Sequence, residues 1–163
     1  MRVIAISDTH APRFWKRCPP AVARHLETAE LILHAGDVCT SAVLEELSQF
    51  APLHVVLGNN DGEEVAAWGA PATKELRIDG VSVAMIHDSG PRHLRLSRLR
   101  GRFPAADLVI FGHSHIPMDQ SDGHFRIVNP GSPTDKRRQP HGTVAVLEIA
   151  DSAVLEVVIA QVS

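Results

Sequence analysis

The sequence predicts a layered α/β sandwich in which a parallel sheet is followed by a mostly antiparallel one. The first half alternates short apolar runs with helical patterns across short connections, which is typical of a parallel sheet covered by helices. The second half has a hairpin signal at Asp79-Gly80 and a two-stranded ribbon around Asp151-Ser152. A length of 163 residues predicts one domain, residues 1–163.

In the first half, short apolar runs ending in polar residues or glycine predict three buried strands, at 2–7, 31–35 and 53–57. Between them, Pro19 and Pro20 favour a helix that continues to residue 29, since proline is tolerated in a first helical turn. Thr40 or Ser41 can cap a second helix, whose apolar face would contain Val43, Leu44, Leu47 and Phe50.

In the second half, a hairpin is predicted at 75–79 and 81–87, followed by a basic helix at 91–102. A buried apolar run predicts a strand at 107–111, and a turn signal precedes another at 125–128. The last two predicted strands form the ribbon, at 143–149 and 154–162.

Composition and charge narrow the function classes. The chain is 44% hydrophobic and 21% charged, which is ordinary for a globular protein, and its net charge of −3 gives no reason to expect stable binding to nucleic acid. No apolar run is long enough to span a bilayer, so we expect no membrane partner. The chain has two cysteines, and its first residues, MRVIAISD, do not form a secretory signal, so we expect a cytoplasmic protein. It could form a homo-oligomer.

Polar residues follow five predicted strands at their carboxyl ends. The first strand ends in Asp8-Thr9-His10, the second in His34-Ala35-Gly36-Asp37 and the third in Gly58-Asn59-Asn60-Asp61. His87-Asp88 closes the hairpin, and Gly112-His113-Ser114-His115 follows the strand at 107. Ligands bind at this edge of open α/β sheets, so the five ends would form one site if they converge. The candidate ligands are Asp8, His10, Asp37, Asn59, His87, His113 and His115.

These residue types indicate divalent metal ions. Seven oxygen and imidazole ligands exceed the four of a tetrahedral zinc site, and they suit two ions such as Mn²⁺, Fe²⁺, Zn²⁺, Ni²⁺ or Co²⁺. Residues two apart in an extended segment point the same way, so Asp8 and His10 can share one ion. His113 and His115 can likewise stand together, each aimed at a neighbouring ion. A carboxylate such as Asp37 can bridge two ions. Each segment alone is also compatible with an ordinary turn, and only their common position favours a metal site.

The ordered motifs D-x-H, G-D, G-N-x-D, a lone His and G-H-x-H resemble the calcineurin-like metallophosphoesterase superfamily. The short chain and the NPGSP segment at 129–133 resemble its small single-domain bacterial and archaeal phosphodiesterase branch, which is similar to the eukaryotic retromer subunit Vps29. The resemblance covers essentially the whole chain. It implies two mixed β-sheets packed face to face with helices outside.

The resemblance also implies the residue roles. Asp8, His10, Asp37 and His115 would hold the first ion. Asp37, Asn59, His87 and His113 would hold the second, so that Asp37 bridges. Asp61 would hold a ligand or its loop, and Asn129 with the Gly131-Ser132 turn would lie near the site. The implied activity is metal-dependent hydrolysis of a small or nucleotide-like phosphodiester by a bridging hydroxide, with Mn²⁺ the first metal to test.

Two departures from the family pattern bear on the substrate. Asn60 stands where many members have a histidine that acts as general acid or phosphate ligand, and Asp88 follows His87 where many small members have glycine. An amide cannot act as an acid, so the identity of the general acid stays open. A phosphomonoesterase with the same site and a non-catalytic Vps29-like interaction scaffold are the alternative functions.

A strand histidine and a basic run lie near the candidate ligands in sequence. His34 lies inside an apolar strand and is expected to be a hydrogen-bonded core residue rather than a ligand. Lys136, Arg137 and Arg138 follow the NPGSP segment and could attract a phosphodiester anion. A basic run is more often a solvated surface, and both interpretations stay open.

Overall fold

Ten strands and four helices alternate along the chain in a computed structural model that describes residues 1–163. The strands are β1 (Arg2–Ile6), β2 (Leu31–His34), β3 (Leu53–Val55), β4 (Thr73–Ile78), β5 (Val81–Ile86), β6 (Leu108–Ile110), β7 (Met118–Asp122), β8 (Phe125–Asn129), β9 (Thr143–Ala150) and β10 (Ala153–Gln161). The helices are α1 (Pro20–Leu26), α2 (Ser41–Leu47), α3 (Glu63–Ala67) and α4 (Arg95–Arg102). None of the helices has the length and apolar character needed to span a membrane.

The strands form two mixed sheets of five strands each. The first has the order β10-β9-β1-β2-β3, with β1, β2 and β3 parallel to one another and β9 antiparallel to both of its neighbours, β1 and β10. The second has the order β4-β5-β6-β8-β7, with a parallel centre and an antiparallel strand at each edge. The predicted class of two mixed sheets with helices outside is confirmed.

Alternating side chains place the two sheets face to face. Val3 and Ala5 of β1 pack into the central core between the sheets, together with residues such as Leu33 and Met85. Ile4, on the opposite face of β1, packs under the helices that cover the first sheet. The outer face of the second sheet is covered by α4 through Leu99 and by Phe103 just after it. Because successive side chains of a strand point to opposite faces, β1 needs apolar residues at alternate positions on each of its two buried faces.

The structure corrects the predicted division into a parallel and a mostly antiparallel sheet. The carboxyl-terminal ribbon joins the first sheet, where Val146 of β9 pairs with Ile4 of β1. The second sheet is therefore half parallel. The hydrophobic pattern of β9 shows that it is buried on both faces but not which sheet it enters, because side chains do not specify the backbone partner.

Two elements were not predicted from the sequence. The five residues of α3 are too few to display a helical period. Strand β7 (MDQSD) is mostly exposed and lacks apolar alternation, and it forms by pairing with β8 across the turn at Gly123. The basic helix begins at Arg95 rather than residue 91, because Leu94 has a left-handed backbone with φ 52°.

The central core is expected to dominate stability. Leu33 is fully buried between the sheets, so Leu33→Ala should lower the free energy of unfolding by about 3 kcal/mol. The matched control is Leu155→Ala in β10, where the leucine is 62% exposed and the change should be within about 0.5 kcal/mol. Urea denaturation of both variants measures the difference, and equal losses would contradict the layer assignment.

Candidate metal centre

All seven candidate ligands lie together beyond the carboxyl ends of β1, β2, β3, β5 and β6. The first three strands belong to one sheet and the last two to the other, so the site lies where the two sheets meet. The ligand atoms form two adjacent groups.

The first group contains Asp8, His10 and His115. Asp8 Oδ1 lies 3.3 Å from Nε2 of His115 and 3.8 Å from Nε2 of His10, and the two imidazole nitrogens are 3.3 Å apart. The three ligand atoms lie within 4.8 Å of one another, which is compatible with one shared cation. This is the set expected for the first ion, apart from Asp37.

The second group is built around His87. Its Nε2 lies 3.4 Å from Asp37 Oδ2, 3.0 Å from Asn59 Oδ1 and 3.3 Å from His113 Nδ1. Asp37 Oδ2 also lies 3.6 Å from Nε2 of His10, and so between the two groups, as expected for a bridging carboxylate.

Asp8 also lies between the groups, which the sequence did not predict. Its Oδ1 is 3.9 Å from Nε2 of His87 in the second group, besides its contacts in the first. Two buried carboxylates, rather than Asp37 alone, are therefore within reach of both groups.

The backbone at the ligands differs from the expected extended segments. Positive φ angles of 47° to 70° occur at five of the seven: Asp8, His10, Asp37, His113 and His115. The prediction that the i, i+2 pairs are aligned by an extended backbone is therefore wrong. Left-handed backbone is uncommon outside glycine and costs on the order of 1–3 kcal/mol per residue, and it is characteristic of functional sites. His113 and His115 nevertheless lie in different groups, as expected for ligands of two neighbouring ions.

Backbone carbonyls fix the orientation of two imidazoles. His87 donates its Nδ1–H to the carbonyl of Ala35 at 2.7 Å, and His115 donates its Nδ1–H to the carbonyl of Asp135 at 2.5 Å. In the neutral imidazole, Nε2 then carries the lone pair and faces the site. Both rings are thus held in the tautomer that a metal ligand requires.

Two glycines allow the loops to approach the carboxylates. A Cβ at Gly112 would overlap Ser7 Oγ and lie 2.8 Å from Asp8 Oδ2. A Cβ at Gly58 would overlap the backbone and carboxylate of Asp37. Larger residues would push the loops away from Asp8 and Asp37.

One buried oxygen tests whether the site fits a cation. Asp8 Oδ2 accepts hydrogen bonds from the Ser7 hydroxyl at 2.7 Å and the His113 backbone N–H at 3.0 Å, whereas the buried Oδ1 accepts none. A buried carboxylate oxygen without a partner is costly. Oδ1 faces Nε2 of His115 and of His87, which carry a lone pair rather than a proton in the neutral tautomer that their Nδ1–H bonds fix. A divalent cation would therefore satisfy the oxygen and the nitrogens together. The donor set fits a metal of the Mn²⁺ to Zn²⁺ series.

Charges within the site lower the pKa values of its two carboxylates and raise the pKa of His87. Burial raises the pKa of Asp37, but His87 and the hydrogen bonds from Asn60 outweigh it and lower the pKa to about 2. At Asp8, burial is outweighed by His10 and His115, so its pKa is also lowered. Burial lowers the pKa of His87, but the adjacent carboxylates raise it above its ordinary value. Protons and metal ions therefore compete for these imidazoles, and metal affinity should fall as pH falls.

Asp61 and Asn60 both support the loop of Asp37. Asp61 Oδ2 accepts the backbone N–H of Asp37 at 3.0 Å and of Gly58 at 2.8 Å, which fits a residue that holds the loop. Asn60 donates its backbone N–H and its side-chain N–H to the two oxygens of Asp37, at 2.8 and 2.7 Å. The Asn60 amide is therefore engaged with the candidate bridging carboxylate.

Several contacts of the site could not be predicted from single residues. Cys39 Sγ lies 3.7 Å from Nδ1 of His10, on the side away from the ligand nitrogen. The carbonyl of Asp135 holds His115 through its backbone, for which side chains give no signal. The NPGSP segment was expected near the site, and there the Ser132 hydroxyl donates to the carbonyl of Asp8 at 2.8 Å.

Two predicted neighbours lie outside the ligand groups. His34 is fully buried and lies 3.2 Å from the Thr9 hydroxyl and 3.2 Å from the Gly36 backbone nitrogen, which confirms a hydrogen-bonded core histidine. Asp88 is exposed, and its carboxylate accepts the backbone N–H of Gly90 at 2.8 Å. One oxygen of the Asp88 carboxylate is thus bound by the backbone of its own turn.

The family model of the calcineurin-like phosphoesterase superfamily domain matches residues 1–152. The chain belongs to this superfamily. The family is metal-dependent, and the two ligand groups contain candidate metal-binding residues of this chain.

Curated relatives are similar over most of their length. A probable metallophosphoesterase of Methanothermobacter thermautotrophicus is 37% identical over 141 residues, which cover 84% of this chain and 80% of the relative. A phosphodiesterase of Methanocaldococcus jannaschii is 26% identical over 144 residues, which cover 80% of this chain and 83% of the relative.

Among solved structures, Vps29 of Entamoeba histolytica has the same fold. A single mutant gives a TM-score of 0.79 at 24% identity and covers 99% of this chain and 100% of that chain. The wild-type protein complexed with zinc gives a TM-score of 0.77 at 23% identity and covers both chains completely.

Removing the carboxylate of Asp37 should weaken metal binding at both groups. We expect Asp37→Asn to lower metal affinity by more than about tenfold, because substituting even a residue that only hydrogen-bonds to a metal ligand lowers the affinity by about that factor. The measurement is metal content by elemental analysis after dialysis against graded free metal. Asp88→Asn is the matched control, since its carboxylate contacts its own turn, and it should retain wild-type content. Unchanged content in Asp37→Asn would show that Asp37 is not a shared ligand.

His34 should contribute a pH dependence to stability. Burial lowers its pKa from 6.5 to about 4, so between these values the unfolded state binds the extra proton and stability falls as pH falls. In chelator-treated protein, His34→Gln should therefore show a flatter decline in the free energy of unfolding between pH 6.5 and 4. Parallel profiles for variant and wild type would show that His34 does not titrate in this way.

Proposed function

We propose that the chain is a metal-dependent phosphodiesterase that acts on a small or nucleotide-like phosphodiester through two divalent ions. The observation that carries this proposal is the buried pair Asp8 and Asp37, set between the imidazoles of His10, His87 and His115, with Asp8 Oδ1 left without a hydrogen-bond partner. In the proposal, Asp8, His10, Asp37 and His115 hold the first ion. Asp37, Asn59, His87 and His113 hold the second.

The choice of a diester is supported by a relative. The similar protein of Methanocaldococcus jannaschii is a phosphodiesterase, and its similarity extends over most of both chains. Membership of the superfamily supports phosphoester hydrolysis in general, and this relative favours diesters over monoesters for our chain.

The side chains of the site supply position and charge. Bound metal ions would lower the pKa of a water molecule and neutralise phosphoryl oxygens. Asp61 and Asn60 orient Asp37, while the carbonyls of Ala35 and Asp135 orient His87 and His115. This fixed arrangement costs little reorganisation when the substrate binds.

The proposal needs no protein nucleophile. Cys39 is the thiol beside the site, and burial together with the charges of Asp61, Asp37 and Asp8 raises its pKa to about 11. It is therefore protonated at neutral pH and a poor nucleophile. Asn60 cannot protonate a departing alkoxide, so activated aryl diesters should react faster than alkyl diesters.

Hydrolysis of bis(4-nitrophenyl) phosphate and 4-nitrophenyl phosphate tests the proposal. We expect turnover of the diester to require a divalent transition metal, with Mn²⁺ tested first, to disappear after exhaustive chelation and to return when metal is added. Undiminished turnover in chelated protein of verified metal content would contradict the mechanism.

The same assay separates the alternatives. Faster hydrolysis of the monoester than of the diester would favour the phosphomonoesterase. A metal-loaded protein that hydrolyses neither compound would favour the interaction scaffold, and its partner binding should then survive substitution of the ligands.

A further inference from the structure

A cavity of about 200 Å³ lies beside the metal centre. The residues that line it are Ser114, Ile116, Lys136, Arg137, Arg138 and Gln139. Its walls come from the segment that carries His113 and His115 and from the loop after the NPGSP turn. Neither the metal ligands nor the residues that orient them line this cavity.

The cavity has an excess of positive charge in a chain that is negative overall. Lys136, Arg137 and Arg138 are consecutive and exposed, and none lies within ion-pair distance of a carboxylate. The Lys136 ammonium donates to the carbonyl of Pro140 at 2.9 Å, which leaves its charge uncompensated. By contrast, Arg100 and Arg126 are paired with aspartates.

The cavity and the metal centre are built from the same two chain segments. Ser114, in its wall, lies between two candidate ligands in sequence. The carbonyl that accepts the His115 Nδ1–H belongs to Asp135, the residue before Lys136.

We propose that this cavity binds a second phosphate of the substrate, carried by one of the alcohols of the phosphodiester. This inference rests on the proposed function and narrows its substrate class to phosphorylated, nucleotide-like diesters. Arginine presents a planar fork that matches phosphate geometry, and two arginines with a lysine can neutralise a dianion. Ile116, which is 53% exposed, offers an apolar wall for the ring between the two phosphates.

Two substrates that differ by one phosphate test the proposal. Thymidine 5′-(4-nitrophenyl phosphate) and its 3′-phosphorylated derivative release the same nitrophenolate, so a difference in rate reports the added phosphate rather than the leaving group. In wild-type protein loaded with Mn²⁺, the 3′-phosphate should raise kcat/KM about tenfold through a lower KM, the effect of one charge-assisted hydrogen bond. Arg137→Gln combined with Arg138→Gln should abolish this preference.

Arg77→Gln is the matched control. Arg77 is an exposed arginine without an ion pair, and it lies at the end of β4 that is remote from the metal centre. The variant loses one positive charge and should retain the preference for the 3′-phosphorylated substrate. A preference that falls equally in this variant would reduce the effect to general charge and overturn the subsite.

Binding provides a readout that does not require turnover. Calorimetry on chelator-treated protein compares thymidine 3′,5′-bisphosphate with thymidine 5′-monophosphate. We expect tighter binding of the bisphosphate to wild-type protein, by about tenfold, and equal binding of both to the double variant.

The kinetic and calorimetric experiments together distinguish failure of the subsite from failure of the proposed function. If neither ester is hydrolysed but the bisphosphate binds preferentially through Arg137 and Arg138, the proposed function fails and the subsite stands. Turnover of both esters without preference overturns the subsite and leaves the proposed function intact. Equal binding of the two nucleotides to wild-type protein also overturns the subsite.

Discussion

The burial of two carboxylates, Asp8 and Asp37, where two sheets meet, is the constraint on which the rest of the site depends. An uncompensated pair of this kind would oppose folding, so positive charge must be supplied by imidazoles, by a bound cation or by both. Nearly every contact around the pair serves that need. Amide groups hold the carboxylate oxygens, and carbonyls turn two imidazoles toward them.

Much of the site could be predicted from the sequence because its candidate ligands follow buried strands. Apolar runs identify such strands, and parallel neighbours end at the same edge, so Asp8, Asp37 and Asn59 were expected to lie together. His87 and His113 belong to the other sheet, and their approach depends on how the two sheets pack. The order of the motifs, which resembles that of the superfamily, predicts that His87 and His113 join the site, whereas the periodicity of the strands does not.

Other features leave no trace in the side-chain pattern. The left-handed backbone at His113 and His115 is one such feature, because histidine adopts positive φ more often than most residues but too rarely for the sequence to predict it. The second role of Asp8 depends on a distance of 3.9 Å to a residue 79 positions further along the chain. Strand β7 forms because β8 provides a partner, although its own residues are polar. In the last two cases long-range geometry outweighs local preference.

The position of β1 has a consequence for the order in which this protein can acquire structure. The strand that precedes Asp8 lies between β2, which is synthesised soon after it, and β9, which lies about 140 residues away along the chain. During translation, one edge of β1 therefore has no partner until almost the whole polypeptide has been made. Contacts of such long range slow folding and leave an apolar edge exposed to other chains. Ribosome-bound fragments that end before residue 143 should consequently depend on chaperones more than the finished chain does.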